Sequence, residues 1–225
     1  MEATFQNRKY IIVYNGELYN TEDLRSVLKT KGFEFKSYSD TEVLLKSYIF
    51  WGTDCVNYIN GIYSFAVWDE KKQSLFLCRD PLGVKPLYYT LKDDTLIFAS
   101  ELKAILANPI IEPVINEQGI CEIMGLGPAH SSNNGVFKNI YQLPAAHYLV
   151  YNCAGIKVKE YWKLKNVHHT ENEKDTMEHV RSLLLDAIKR QLTADVPVCT
   201  FLSGGLDSSI ISAVAAEDFR KQGKK

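Results

Sequence analysis

Short apolar runs separated by turn-forming residues occupy much of the chain. Runs of this length, rich in β-branched and aromatic residues, are typical of β-strands and too short for core helices. From about Tyr10 to Lys165 they predict a layered sheet with two or three helices. The runs lie at residues 10–13, 63–68, 74–78, 87–90, 96–99, 147–151 and 156–161.

Three stretches space their apolar residues at intervals of three and four, as amphipathic helices do. The first follows Asn20, the expected helix cap, and ends near Gly32. The second follows Asp40, and the third and longest recurs from Val180 to Leu192. The pattern therefore predicts two helices within the sheet-rich part and one after it.

Glycine and asparagine mark the expected turns. Asn15 and Gly16 stand between apolar residues, which is a strong turn signal. Residues 152–155 predict the hairpin turn between the last two strands. The stretch from Gly125 to Gly135, with Pro128 and a polar centre, predicts a loop.

A polar, charged stretch after residue 165 separates two regions of different pattern. We therefore divide the chain into a first domain at 1–165, a linker at 166–177 and the start of a second domain at 178–225. Helix, strand, loop and helix alternate in the last of these, which predicts a parallel α/β sheet that binds its ligand at a strand's carboxyl end.

Composition narrows the class of protein. The 225 residues carry 26 basic and 27 acidic side chains, so no basic footprint for nucleic acid or anionic membranes is visible. No apolar run is long enough to span a bilayer, and no leader pattern precedes the first strand. The five cysteines show neither paired spacing nor a zinc pattern. These features predict a cytoplasmic protein with an ample core.

The most informative segment has the sequence SGGLDSS at 203–209 and follows the apolar run at 196–202. It predicts a strand, a phosphate-binding turn and a helix from about Asp207. Paired glycines let the main chain approach a ligand, and the helix start offers unpaired N–H groups to an anion. Asp207 adds a carboxylate suited to Mg²⁺ beside phosphates. A plain strand-turn-helix corner is the alternative.

This segment lacks the Lys-Ser/Thr ending of a Walker A loop and the spaced glycines of a dinucleotide fingerprint. It resembles the pyrophosphate loop, SGGxDS, of enzymes that cleave ATP to AMP and pyrophosphate while adenylating a carboxylate. Five further motifs resemble, in order, the glutaminase domain of glutamine-hydrolysing asparagine synthetases. They are YNGELYN at 14–20, SDTEV at 39–43, NGIYSFA at 60–66, RDPLGVKPLYY at 79–89 and ASELKA at 99–104.

The resemblance implies a fold and a reaction. The fold is an α+β αββα sandwich of the N-terminal-nucleophile type, followed by the start of an α/β PP-loop ATP pyrophosphatase domain. In the family, an N-terminal cysteine hydrolyses glutamine and the ammonia passes through a tunnel. A β-aspartyl-AMP made from ATP and aspartate captures it. Glutamine, aspartate and ATP with Mg are the implied small-molecule partners, and the full-length family implies a homodimer.

The same resemblance assigns residues to the glutamine site. Asn15 and Gly16 match the oxyanion-hole positions, two donors for the charge of a tetrahedral intermediate. Glu17 and Asp40 match positions that hold glutamine, which carries an α-ammonium. Asp40 has an alternative role as the N-cap of the helix that follows it.

The ATP-binding positions of the family are matched by one continuous segment, with Asp207 as the candidate Mg ligand. Its residues are Leu202, Ser203, Gly204, Gly205, Leu206, Asp207 and Ser208. Arg79, Asp80 and the stretch 83–89 are interpreted as residues that shape the first domain.

The chain departs from the family at its start, Met1-Glu2-Ala3, where no Cys-Gly follows Met1. A nucleophile whose own α-amine is the base must be the first residue, so we expect a piece truncated at both ends, with an incomplete sandwich and no glutaminase activity alone. Two alternatives stay open. One is an amidotransferase with another acceptor, such as a β-lactam synthetase or a surface-sugar amidating enzyme. The other is a non-catalytic fragment that docks to an intact paralogue.

Overall fold

A computed structural model describes residues 1–127, 131, 133–194 and 196–223. It divides into two compact units, Met1–Leu164 and Lys165–Lys225. The first unit is a mixed α/β structure with antiparallel sheets, which confirms that part of the predicted fold class. In the residues described, no helix is both long and apolar enough to cross a membrane.

All nine strands of the described residues belong to the first unit and pair in antiparallel fashion. Six form one sheet in the order β1-β2-β3-β4-β8-β9, and three form a second in the order β6-β5-β7. The strands are β1 (Glu2–Phe5), β2 (Arg8–Leu18), β3 (Gly61–Asp69), β4 (Ser74–Arg79), β5 (Tyr88–Lys92), β6 (Thr95–Ala99), β7 (Tyr141–Gln142), β8 (His147–Asn152) and β9 (Gly155–Glu160).

Each of the seven apolar runs overlaps one strand, and only Leu87 and Tyr161, at the ends of two runs, fall outside it, so those predictions are confirmed. The turn at 152–155 is confirmed as well, because Asn152 pairs with Gly155 across the β8–β9 hairpin. Gly155 has a φ of 96°, a left-handed conformation that glycine adopts without strain. The pattern missed β1 and the two-residue β7.

Six α-helices accompany the sheets in the described residues. They are α1 (Thr21–Thr30), α2 (Asp40–Trp51), α3 (Leu102–Leu106), α4 (Glu117–Leu126), α5 (Glu173–Arg190) and α6 (Leu206–Lys221). The three amphipathic stretches correspond to α1, α2 and α5, and the helix expected from about Asp207 is α6. Gly125 lies in α4, and residues 128–130 and 132 of the predicted loop fall outside the described residues.

The largest core lies between α1, α2 and one face of the six-stranded sheet. Leu44 of α2 packs there with Phe65 of β3 and Phe76 of β4, and all three are almost fully buried. Burying a large apolar side chain of this kind stabilises a fold by about 1.5–3 kcal/mol. This core fixes the position of α2 and of its first residue, Asp40.

The opposite face of the six-stranded sheet packs against the second sheet. Leu77 of β4 meets Tyr89 of β5 there, and Leu143, just after β7, completes the contact. On the far side of the second sheet, Ile105 of α3 packs with Ile140. The successive layers are therefore helices, sheet, sheet and helix, and the loops between layers can carry a site.

The turn predicted at Asn15 and Gly16 is wrong, because β2 continues through both residues to Leu18. Gly16 has a different reason to be glycine. A Cβ there would lie 2.2 Å from the carbonyl oxygen of Ile62 on the neighbouring strand. The glycine permits a close approach within the β2–β3 ladder rather than a change of chain direction.

The capping prediction for Asn20 is wrong in part. Asn20 stands at the N-cap position of α1 but makes no side-chain capping bond. Its Nδ2 donates to the Tyr58 carbonyl at 2.8 Å, and its Oδ1 accepts from the Asn60 N–H at 2.9 Å. The carboxamide thus ties the start of α1 to the segment that enters β3.

The strand predicted at 196–202 is also wrong: these residues form no strand in the structure. A strand needs a neighbour for its main-chain hydrogen bonds, and the described residues supply none here. Cys199, in the middle of this run, is exposed, whereas Cys78 in β4 is buried.

Candidate active site

The end of β2 carries the first group of predicted site residues. Side chains alternate along a strand, and the burial pattern shows that alternation here. Asn15 and Glu17 are exposed on one face, while Tyr14, Gly16 and Leu18 occupy the other. Two predicted site side chains therefore share a face of β2, and Gly16 belongs to the opposite one.

Asn15 is held by a residue of the other sheet. Its Nδ2 donates to the Ser100 hydroxyl at 3.2 Å, and Ser100 comes directly after β6. A carboxamide nitrogen has two hydrogens, so this contact leaves one for a ligand. It also orients the amide, because only the nitrogen end can donate to Ser100 in this arrangement.

Gly16 is enclosed by main chain and by one aromatic ring. Besides the Ile62 oxygen, a Cβ at residue 16 would meet Tyr63 Cα at 2.7 Å and Tyr14 Cε2 at 2.9 Å. No other residue type fits without displacing backbone. The Tyr14 ring therefore crosses the strand directly over Gly16.

Asp40 reaches β2 from the start of α2. The helix is capped by Ser39, whose hydroxyl accepts from the Thr41 N–H at 3.1 Å, so the alternative N-cap role of Asp40 is wrong. Asp40 Oδ2 instead accepts from the Tyr14 hydroxyl at 2.9 Å and from the Leu18 N–H at 3.3 Å. A carboxylate is thus held against Tyr14 and Leu18 at the end of the strand.

The electrostatics of this contact favour one direction of donation. Burial, followed by the charge of the Asp40 carboxylate, raises the pKa of Tyr14 well above its ordinary value. Tyr14 consequently keeps its proton and acts as the donor, with Asp40 as the acceptor.

Arg79 and Asp80 hold the turn that joins the two sheets. The Arg79 guanidinium donates to the carbonyls of Lys85, Gly83 and Leu143 at 2.7–2.8 Å. Asp80 accepts main-chain N–H bonds within the same turn at 2.9–3.0 Å. Both side chains are buried. All these contacts shape the protein and leave neither side chain facing a ligand.

The candidate phosphate-binding segment lies in the second unit, where Leu202 to Asp207 are exposed and Ser208 is half-buried. Gly204 has a φ of 83°, and Gly205 stands at the N-cap of α6 with no side-chain capping bond. The Ser208 hydroxyl donates to the Gly205 carbonyl at 3.1 Å and lies 3.0 Å from the Ser203 hydroxyl. Main-chain N–H groups at the helix start are therefore not covered by a capping side chain.

Asp207 lies in the first turn of α6. Mg²⁺ is usually held by one or two carboxylates together with the phosphates of a nucleotide. A single carboxylate at a phosphate-binding turn fits that pattern. Within the described ranges there is no cluster of three or more His, Cys, Asp or Glu that could hold a metal by itself.

The two units match two different protein families. Residues 3–162 match the family described as the glutamine amidotransferase domain. The chain belongs to this family. Residues 179–224 match the asparagine synthase family, so the two parts that the motifs resembled are both found, in the predicted order.

Individual relatives agree with this assignment. The chain is 52% identical to asparagine synthetase [glutamine-hydrolyzing] 3 of Bacillus subtilis over 224 residues, which is all of this chain and 36% of that protein. It is 32% identical to amidase chyE of Penicillium rubens, over 98% of this chain and 32% of that protein. The chain thus spans about a third of the length of these relatives.

A solved structure is also similar. It is the B. subtilis glutamine phosphoribosylpyrophosphate amidotransferase complexed with ADP and GMP, with 19% identity and a TM-score of 0.48. The similarity covers 95% of this chain and 45% of that one.

Two residues at the site carried no predicted role. Tyr14 and Ser100 contact Asp40 and Asn15 through side-chain hydrogen bonds. The only sequence signal for Tyr14 is its position two residues before a glycine on the same strand face. Ser100 carries no signal, because its partner lies 85 residues away in the chain.

Proposed function

We propose that this chain carries the glutamine site and the start of the ATP site of a glutamine-dependent asparagine synthetase. The carrying observation is the 52% identity to such a protein across the whole chain. The contact of the Asp40 carboxylate with the end of β2 supports it, because the proposed glutamine site needs an anionic group there.

In this proposal, Asp40 receives the α-ammonium of glutamine, with Glu17 as a second carboxylate near the strand end. A carboxylate paired with an ammonium makes a charge-assisted hydrogen bond, roughly twice as strong as a neutral one. Asn15 Nδ2 and the Gly16 main chain face the side-chain amide carbonyl of glutamine. They stabilise the negative charge that this oxygen gains when a nucleophile attacks the carbon.

Two cysteines of the first unit are unsuited to be that nucleophile. Cys55 and Cys78 are completely buried, and burial raises the pKa of each thiol above its ordinary value. A thiol in this state supplies little thiolate and cannot meet a substrate. They are core residues in this proposal.

The second unit contributes the ATP-binding segment. The β-carboxylate of aspartate attacks the α-phosphorus of ATP, the bond to the β-phosphate oxygen breaks, and pyrophosphate leaves. Ammonia then attacks the acyl carbon of β-aspartyl-AMP, AMP leaves with the bonding electrons, and the nitrogen loses a proton to give asparagine. Main-chain groups of Ser203 to Leu206 and the hydroxyl of Ser208 bind the departing pyrophosphate, and Asp207 would hold a Mg²⁺ ion, which would neutralise part of the phosphate charge.

The family resemblance further implies aspartate as the acceptor, a homodimer and a cytoplasmic location, and we include all three in the proposal. An amidotransferase with another acceptor carboxylate is the second candidate, and the amidase name of the Penicillium rubens relative shows that similar chains carry other names. Comparison of aspartate with other carboxylates in ATP–pyrophosphate exchange separates the two.

Titration calorimetry of the chain with L-glutamine tests the central claim. Asp40→Asn removes the charge that pairs with the α-ammonium, so we expect affinity to fall about thirtyfold, the equivalent of about 2 kcal/mol. Asp54→Asn is the matched control, because Asp54 is an exposed carboxylate in a 3-10 helix after α2. Equal glutamine affinity in Asp40→Asn and the unchanged chain would overturn the proposal.

A further inference from the structure

We propose that Tyr14 is a positioning residue of the glutamine site, and that its hydroxyl orients the Asp40 carboxylate toward the α-ammonium of the ligand. The inference rests on the proposed function and extends it to a residue that no motif role covers. Three features of the structure support it. The two Asp40 oxygens have different hydrogen-bond partners, the Tyr14 ring packs over Gly16, and the Tyr14 hydroxyl keeps its proton.

The two oxygens of Asp40 have different partners. Oδ2 accepts both the Tyr14 hydroxyl at 2.9 Å and the Leu18 N–H at 3.3 Å. Among the residues that the structure describes, Oδ1 contacts only the neighbouring Thr41 hydroxyl, at 3.4 Å. A carboxylate oxygen with one long contact keeps lone pairs for a further donor. The Tyr14 bond therefore sets which oxygen faces inward to the protein and which one is left for an ammonium.

The Tyr14 ring reaches Asp40 only because residue 16 has no side chain. Tyr14, Gly16 and Leu18 share a face of β2, and the ring Cε2 lies 2.9 Å from the place of a Cβ on Gly16. The ring is thus packed over one predicted site residue while its hydroxyl binds another. A single rigid side chain couples the position of Asp40 to that of Gly16.

The hydroxyl is a permanent donor under ordinary conditions. Burial and the adjacent carboxylate both raise the pKa of Tyr14, so the phenol does not ionise near neutral pH. A phenylalanine in its place keeps the ring over Gly16 and removes only the donor. Tyr14→Phe consequently isolates the positioning bond from the packing of the ring.

Calorimetric titration with two ligands distinguishes a positioning role from a purely structural one, because a structural defect would change the affinities for both ligands alike. The first ligand is L-glutamine, and the second is glutaramate, which is glutamine without its α-amino group. We expect Tyr14→Phe to weaken glutamine binding about five- to tenfold, the equivalent of one typical hydrogen bond, and to leave glutaramate affinity unchanged. Tyr38→Phe, on a residue that is 96% exposed, is the matched control.

Each outcome decides a different point. A parallel loss for both ligands, or no loss for either, overturns the positioning role while the unchanged chain still binds glutamine. Binding of neither ligand by the unchanged chain would instead defeat the proposed function, and the inference with it. In the Asp40→Asn background, Tyr14→Phe should have no further effect on glutamine affinity, and an added loss would contradict the coupling.

Discussion

The two units of this chain differ in how much of their apolar surface they bury. Met1–Leu164 contains three clusters of buried side chains, including Leu77 at 0% exposure. In the described part of Lys165–Lys225, only Ile188 and Ala215 are buried. The second unit has regular helices without a closed core. In this chain, helices therefore form even where few apolar side chains are buried in a core.

The second unit shows that a helix can form without the neighbouring segment that a strand requires. Helix α5 begins at an Asn172 cap that accepts from the Asp175 N–H at 3.0 Å, and it ends with Lys189 and Arg190. These are local signals, and helix hydrogen bonds are local too. Its apolar face and that of α6 line a cavity of about 550 Å³. The apolar run at 196–202, in contrast, forms no strand because its hydrogen bonds need a second segment.

The largest expected effect comes from truncating a leucine to alanine, and we compare the same truncation in the two units. Leu77→Ala empties a site between the two sheets, so we expect the free energy of unfolding to fall by about 4 kcal/mol. Leu183→Ala removes the same atoms from a side chain that is 59% exposed, and less than about 0.5 kcal/mol is expected. Urea unfolding followed by tryptophan fluorescence measures the first effect, because Trp51, Trp68 and Trp162 all lie in the first unit.

Far-UV circular dichroism supplies the companion measurement for Leu183→Ala, since α5 carries no tryptophan. Similar losses in the two variants would show that the second unit has a tight core after all. The two units would then not differ in how tightly their apolar side chains pack.

A second test compares two glycines. Gly16→Ala places a Cβ 2.2 Å from a main-chain oxygen, so the β2–β3 ladder must shift at an expected cost of about 3 kcal/mol. Gly204→Ala has open space around it but a φ of 83°, so only local strain of about 1 kcal/mol is expected. Tryptophan-detected unfolding should shift for the first variant alone, and an unchanged Gly16→Ala transition would argue against the close strand contact.

A third and smaller effect concerns acid stability. Burial by itself would raise the pKa of Glu42, but hydrogen bonds from Lys46, Lys36 and Ser37 outweigh it and lower that pKa to about 2. Because the folded pKa lies below the unfolded one, the stabilisation is complete above about pH 5 and is lost as pH falls toward about 2. Glu42→Gln should lower the free energy of unfolding by about 2 kcal/mol at neutral pH.

The matching group in the second unit is Glu217. Its pKa is lowered by a hydrogen bond from Lys221, but both side chains are exposed, so Glu217→Gln should leave stability unchanged. Thermal unfolding from pH 7 to pH 3 measures both variants. If the stability of Glu42→Gln still falls at acid pH as much as that of the unchanged chain, another group is responsible for the acid sensitivity.

The site shows the limits of local reasoning as clearly as the fold does. The motifs drew attention to Asn15, Gly16 and Asp40, but the interpretation of Asn15 and Gly16 as a turn was wrong. An Asn-Gly pair is compatible with a turn and with a crowded strand, and only the neighbouring Ile62 distinguishes them. Similarly, Ser39 rather than Asp40 caps α2, which frees Asp40 for β2.

Elements whose hydrogen bonds or burial patterns are local could be predicted from the sequence alone. These are the amphipathic helices α1, α2 and α5, the seven apolar strands, and the hairpin at 152–155. Motif order also determined membership of the glutamine amidotransferase family, because several independent matches are far more specific than one. Each of these inferences draws on residues that lie close together in the chain.

Contacts between residues that are far apart in the chain could be recognised only in the folded molecule. Tyr14 and Asp40 are separated by 26 positions, and Asn15 and Ser100 by 85. Such contacts depend on how α2 packs on the sheet and how the second sheet meets the first. The same reason explains the missing strand at 196–202: a strand exists only with a partner, and pairing is a property of the folded molecule.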